Sequence, residues 1–169
     1  MKLDEAKLQF IQSWGVLAGQ WGINRTMAQV HALLLVASKP LSTDDIMAEL
    51  SISRGNANMN IRELIDWKLI EKSIVAGDRK EYFAAEKDIW KVATHIMYQR
   101  KKRELDPMVK VLGQISVVEG NQSDADIIAF TTMVKNIEKF AGQADKTLDT
   151  IIKAEENWFW GSFIKLFKS

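Results

Sequence analysis

Ser42-Thr43-Asp44-Asp45-Ile46-Met47-Ala48-Glu49-Leu50-Ser51-Ile52-Ser53-Arg54-Gly55-Asn56-Ala57-Asn58-Met59-Asn60-Ile61-Arg62-Glu63-Leu64 is the stretch whose reading decides the fold. Ser42 or Thr43 can cap free N–H groups, and Asp44 and Asp45 fall at the positive end of a short helix that closes at Leu50. Ser51-Ile52-Ser53 makes a tight turn, and Ser53 caps a second helix from about Arg54 to Lys68. Beyond it, Leu69–Val75 and Glu81–Ala84 are β-rich runs around Ala76-Gly77-Asp78-Arg79-Lys80, whose Gly-Asp pair supports a hairpin turn. Two crossed helices followed by a hairpin make a winged helix-turn-helix, a device whose second helix fits the DNA major groove.

On the second helix Ala57, Ile61, Leu64 and Ile65 share a face that should pack on the preceding helices. Three Asn residues in so short a helix run against propensity, which makes sense if their amides bind something. Asn pairs bidentately with adenine and Arg with guanine, so Arg54, Asn56, Met59 and Asn60 are expected at base edges, Met59 against a thymine methyl. Thr43, Ser53, Asn58 and Arg62 are expected to hold phosphate, with Arg79 and Lys80 of the wing at the minor groove. The plainer alternatives are a solvated helix face and a charged hairpin tip that only confers solubility.

Outward from this stretch almost everything reads as helix. Phe10, Trp14, Leu17 and Trp21 form one face of a first helix ending at Gly22, and Met27, Val30, Leu34 and Ala37 one face of a second ending at Lys39-Pro40. After the hairpin, a helix from about Asp88 carries Ile89, Ala93, Ile96 and Met97. Asp106-Pro107 reads as a capping Asp with Pro at the first helical position, opening a helix with Met108, Val109, Leu112 and Ile115 that breaks at Gly120-Asn121. Ser123-Asp124 starts another, with Ile127, Phe130, Val134, Ile137 and Ala141 inward and a close at Gly142; a last helix carries Leu148 to Leu166.

Composition limits the function. The chain has 169 residues, 47% hydrophobic and 27% charged, enough for a core and against disorder. Its formal net charge is only +1, so any phosphate-binding surface must be local rather than global. It has no cysteine, and no secretory signal or long apolar span is read, which makes a cytoplasmic, soluble protein the expectation. His31 and His95 lack metal-spaced partners, and no nucleophile triad, phosphate loop or dinucleotide fingerprint occurs. No enzyme, metal or cofactor is therefore expected.

Three other features are open to more than one use. Six tryptophans raise the idea of an aromatic cage for a quaternary ammonium effector, with Trp14, Trp21, Trp67 and Trp90 as candidates; core packing is the favoured alternative. Arg100-Lys101-Lys102-Arg103 reads as a solvated face complementing a helix end, or as a phosphate contact. The apolar tail Trp158–Lys168 suits burial in a dimer better than a membrane interface.

Residues 30–90 resemble the MarR superfamily of winged-helix regulators, most nearly its GbsR-like branch. The resemblance rests on Ser53-Arg54-Gly55-Asn56, Asn60-Ile61-Arg62-Glu63-Leu64, Trp67-Lys68-Leu69-Ile70, Asp78-Arg79-Lys80-Glu81-Tyr82-Phe83 and Glu86–Trp90. Upstream, Trp14-Gly15 and Trp21-Gly22-Ile23-Asn24-Arg25-Thr26-Met27-Ala28 are similar to that branch too. It implies a dimeric transcriptional regulator, usually a repressor, whose helical ends form the dimer; some relatives answer to choline or related osmolytes. The expected molecule is mainly α with a small β-hairpin wing. Residues 1–103 would carry the first helix and the DNA-binding domain, and 104–169 the dimerisation helices. Its partners would be double-stranded DNA, a second copy and a small-molecule effector, with no membrane. The alternative is a winged-helix protein-interaction module in a larger assembly.

Overall fold

The computed structural model describes residues 1–121 and 123–154. The apolar tail considered above lies outside them. By its packing the chain divides into two units, Met1–Val92 and 93–169, a boundary earlier than the sequence reading drew after Arg103.

The first unit contains helices α1 (Leu3–Gln20), α2 (Arg25–Val36), α3 (Thr43–Leu50) and α4 (Arg54–Asp66), with strands β1 (Leu41–Ser42), β2 (Ile70–Ser73) and β3 (Tyr82–Ala85). The strands form one antiparallel sheet in the order β1-β3-β2, pairing Leu41 with Phe83 and Ile70 with Ala85. The core lies under this sheet, where Met27, Val30 and Leu34 of α2 are buried with Ile46 of α3, Ala57, Ile61 and Leu64 of α4, and Phe83 of β3. The period-3.6 rows of α2 and α4 thus face inward as their spacing requires.

The inward face of α1 is corrected. Ile11, Gly15 and Ala18 are its buried positions, Phe10 and Trp14 are half-buried, and Leu17 and Trp21 are exposed. Small residues win this face because α1 runs close to α2: a Cβ on Gly15 would lie 2.7 Å from Gln29 Cγ. The bulky side chains flank the contact instead. At the other end of α2, Ala37 turns extended and leaves carbonyls unpaired by the helix. The Lys87 ammonium fills that role, donating to Leu34 O at 2.7 Å, Leu35 O at 2.6 Å and Ala37 O at 3.2 Å.

Helices α3 and α4 both end without glycine. Ser51 (φ 53°) and Lys68 (φ 59°) take the left-handed conformation, and the next N–H reaches back five residues, Ile52 to Met47 O and Leu69 to Leu64 O. The resulting turns satisfy carbonyls that a simple helix end would leave open.

In the second part of the chain, α5 (Ile89–Arg100) passes through a π-turn (Lys101–Leu105) into α6 (Asp106–Ile115), and α7 runs Ala125–Ala154. Two sequence expectations are corrected here. Asp106 caps nothing, because Leu105 before it is already helical; Pro107 directly follows the π-turn, where the Asp106 N–H reaches back to Lys101 O. Nor does Gly142 end a helix: α7 runs through it, since Val134 and Ala141 pack on Leu112 of α6 with Leu105 and Val109 alongside. That packing outweighs the roughly 1 kcal/mol a helical glycine costs relative to alanine. Met108, Ile115, Phe130 and Ile137, expected inward, are exposed on this chain, as is Ile89 of α5.

The basic run Arg100–Arg103 falls in and beside the π-turn. Lys101 there is largely buried among Asp106 (3.0 Å), Asp145 (2.8 Å) and Asp149 (3.3 Å), which hold its ammonium charged well above the ordinary lysine range. It is a tie between α6 and α7, so this lysine is withdrawn from the solvated face that the sequence suggested.

Candidate nucleic-acid interface

Local capping builds the reading helix and its support. Ser42 Oγ accepts the Asp45 N–H (3.2 Å), while Asp45 Oδ2 accepts the Ser42 N–H (2.8 Å), a reciprocal pair that starts α3. The carboxyl of Asp45 is held below its usual range, first by the Ser42 hydroxyl and then by the Ser42 N–H. Ser53 Oγ accepts the Asn56 N–H (3.3 Å) and so starts α4. This cap places Arg54 and Gly55 at the exposed first turn, with Met59 and Arg62 exposed further along and Asn56 and Asn58 half-buried. Thr43, at the start of α3, is also half-buried.

One expected base contact does not face outward. Asn60 is 0% exposed, and its Nδ2 donates to Asn56 O (2.8 Å) and Asn56 Oδ1 (2.7 Å). The physical reason is angular: at 100° per residue Asn60 stands about 40° from Leu64, on the edge of the buried row. Its amide therefore braces the Asn56 side chain from within.

The wing is ordered by its own polar contacts. Gly77 adopts φ 86°, a left-handed turn position open to glycine without strain. Asp78 Oδ1 then accepts the Lys80 N–H (2.9 Å), and Asp78 Oδ2 accepts the Tyr82 hydroxyl (2.8 Å). These bonds lower the Asp78 carboxyl from its ordinary value and raise the Tyr82 phenol. Lys72 pairs with Glu81 across the hairpin. Arg79 and Lys80 stand exposed at the tip. Among the described residues Arg79 and Arg62 hold no ion pair.

Asp44, which the sequence reading used only as a helix-dipole residue, joins these pieces. Its Oδ1 accepts from Arg54 Nη2 at the start of α4, and its Oδ2 lies 3.5 Å from Lys80 Nζ on the wing. The Arg54 guanidinium foremost, then the Lys80 ammonium, hold the Asp44 carboxyl below its usual value. The contact joins residues ten and thirty-six positions apart, and no local pattern announces it.

The four tryptophans occupy different settings. Trp67 is buried at the end of α4, and Trp14 is half-buried, its ring 5.4 Å from Phe10 and 6.5 Å from His31. Trp21 and Trp90 are 59% and 63% exposed. A cleft of about 450 Å³ opens elsewhere, between the start of α1, the end of α2 and α3, and none of the four lines it. No cluster of three His, Asp or Glu side chains among the described residues is arranged to hold a metal, and no described helix is long and apolar enough to cross a membrane.

Comparison with known proteins bears on the fold. Residues 21–81 match the MarR family. The HTH-type transcriptional repressor GbsR of Bacillus subtilis (strain 168) is 23% identical over 125 residues, which cover 74% of this chain and 64% of that protein. The matched region thus spans less than two thirds of the relative's length. A crystal structure of a transcriptional regulator superposes with a TM-score of 0.63 at 17% identity, covering 90% of this chain and 99% of that one, a likeness of fold.

Proposed function

From a winged helix-turn-helix whose residues 21–81 match the MarR family, we infer that this protein is a transcriptional regulator that binds double-stranded DNA by sequence as a homodimer.

 The single observation that carries this reading is the exposed first turn of α4 beside the ordered wing. Arg54, Asn56 and Met59 of α4 are the proposed base contacts, and Arg62 on α4 with Arg79 and Lys80 on the wing are the proposed backbone contacts. Asn60 leaves the set of base contacts and becomes the brace behind Asn56. Thr43, Ser53 and Asn58 complete the backbone contacts, and the first of these lies on α3, which crosses the phosphates in such a fold.

Dimerisation is supported by α7. Phe130, Met133, Ile137 and Phe140 recur at spacings of three, four and three, and all are exposed on the single chain, Phe140 at 72%. Such a stripe is the seam by which helices of two copies pair. Repression is the mode of action we propose by analogy with the relative, with an effector as the signal; Trp14, Trp21, Trp67 and Trp90 remain the proposed effector contacts, in a cytoplasmic protein without enzymatic activity.

The test compares wild type, Asn56→Ala and Arg79→Ala on a duplex enriched from a random pool and on an unrelated duplex, over a range of salt. Asn56→Ala should lose about 1–3 kcal/mol on the enriched duplex alone. Arg79→Ala should weaken both and lower the salt slope by about one. Variants that match wild type on both duplexes would remove this face from the interface. A second reading, a protein-interaction module, is favoured by the net charge of +1; it expects no duplex to be retained.

A further inference from the structure

The contact between Asp44, Arg54 and Lys80 does more than neutralise charge. Both oxygens of one carboxylate are engaged, Oδ1 by Arg54 Nη2 and Oδ2 by Lys80 Nζ at 3.5 Å. The three residues lie on three elements: the first turn of α3, the first residue of α4, and the hairpin between β2 and β3. A guanidinium has five N–H donors, and the bond to Asp44 uses one, so Arg54 keeps a fork for a guanine edge or a phosphate. All three side chains are about half exposed, Asp44 at 48%, so a duplex can reach the cations without displacing the carboxylate.

We propose that Asp44 is a positioning residue for sequence reading: it fixes Arg54 of the reading helix and Lys80 of the wing relative to each other before DNA arrives. The inference rests on the DNA-binding function proposed above. An unheld arginine at the end of a helix samples many rotamers, and ordering it on binding costs affinity. Held by Asp44, it meets the base edge with much of that ordering already done. The benefit falls on contacts that need one geometry, as base edges do, and scarcely on phosphates, which accept a cation from many directions. Asp44 therefore raises the ratio of specific to non-specific binding even though it adds a negative charge to the interface.

Competition is the opposing possibility, in which Asp44 merely occupies cations that phosphates would otherwise take. The two differ in sign. Asp44→Asn keeps the side-chain shape and removes the charge; the measurement is its affinity for the enriched duplex and for an unrelated duplex of equal length. Positioning expects weaker binding to the enriched duplex, on the order of 3- to 10-fold, with binding to the unrelated duplex unchanged or tighter. Asp44→Glu should recover part of the loss. In an Arg54→Ala background, Asp44→Asn should have little further effect on the enriched duplex, because it acts chiefly through that arginine.

Tighter binding of Asp44→Asn to the enriched duplex would establish competition and overturn the proposal. A parallel loss on both duplexes, or no change on either, would overturn it as well. Thermal melting of each variant separates a parallel loss caused by unfolding, and Arg54→Lys gives a second route: it keeps the charge but not the fork, and should lower the same ratio. If wild type retains no duplex at all, the DNA reading itself falls, and this inference with it.

Discussion

Asn60 shows how far a single residue can be read. Its type and its place on a reading helix suggest a base contact, yet its angle puts it one turn before Leu64 on the buried row, and the structure buries it. Asn60→Ala should destabilise the fold by about 1 kcal/mol. It loses two hydrogen bonds to Asn56 and leaves a small void, partly offset by removing a buried Oδ1 that has no partner among the described residues. Urea unfolding measures this; unchanged stability with lost discrimination would return Asn60 to the reading face. Asp44 is the converse case. Its place in the first turn of α3 was legible, but its two cationic partners come from distant parts of the chain and only the fold brings them together.

His31 was legible as structural, and its environment makes it a pH probe. It is buried on α2 beside the Trp14 ring, and its Nε2 finds no hydrogen-bond partner among the described residues. Burial first, and then the positive charge of Lys87, push its pKa from 6.5 down to about 4. The unfolded chain therefore binds the extra proton between those two values, so stability is fully present above pH 6.5 and is lost as pH falls toward 4. The loss attributable to this residue should be on the order of 3 kcal/mol. Chemical unfolding at a series of pH values should show that slope in wild type and a flatter one in His31→Leu; equal slopes would mean that His31 is not held neutral.

At the scale of elements, the sequence is readable where caps and turns are local. Ser42 and Ser53 begin their helices as their side chains require, and Gly77-Asp78 turns the wing. It is less readable where packing decides. The α1 face turns on the closeness of α2 rather than on the largest apolar side chains, and α7 passes through Gly142 because the residues around it are held by α6. Nothing lies within 4 Å of a Cβ built at Gly142. Gly142→Ala should accordingly stabilise the protein by about 0.5–1 kcal/mol, read as a higher denaturant midpoint with an unchanged slope. Destabilisation would show that the position is closed by something packed against it.

For the whole molecule, the proposed DNA binding of a near-neutral chain rests on local arrangement. Arg54 and Arg62 are exposed on α4, and Arg79 and Lys80 on the wing, while acidic groups such as Asp145 and Asp149 are occupied with Lys101 in the other unit. The apolar stripe of α7 carries the dimer proposal to the same scale. Phe140→Lys puts a charge into that seam and should shift the solution mass from two copies toward one; a wild-type monomer would overturn the dimer proposal, and a variant that stays dimeric would locate the association elsewhere.

The most direct test of the central claim is selection of duplexes from a random DNA pool at near-physiological salt, with the mass of the bound protein measured alongside. A palindrome whose half-sites lie about one helical turn apart should be enriched, bound by two copies of the chain. Retention without any shared sequence, or no retention, would contradict it.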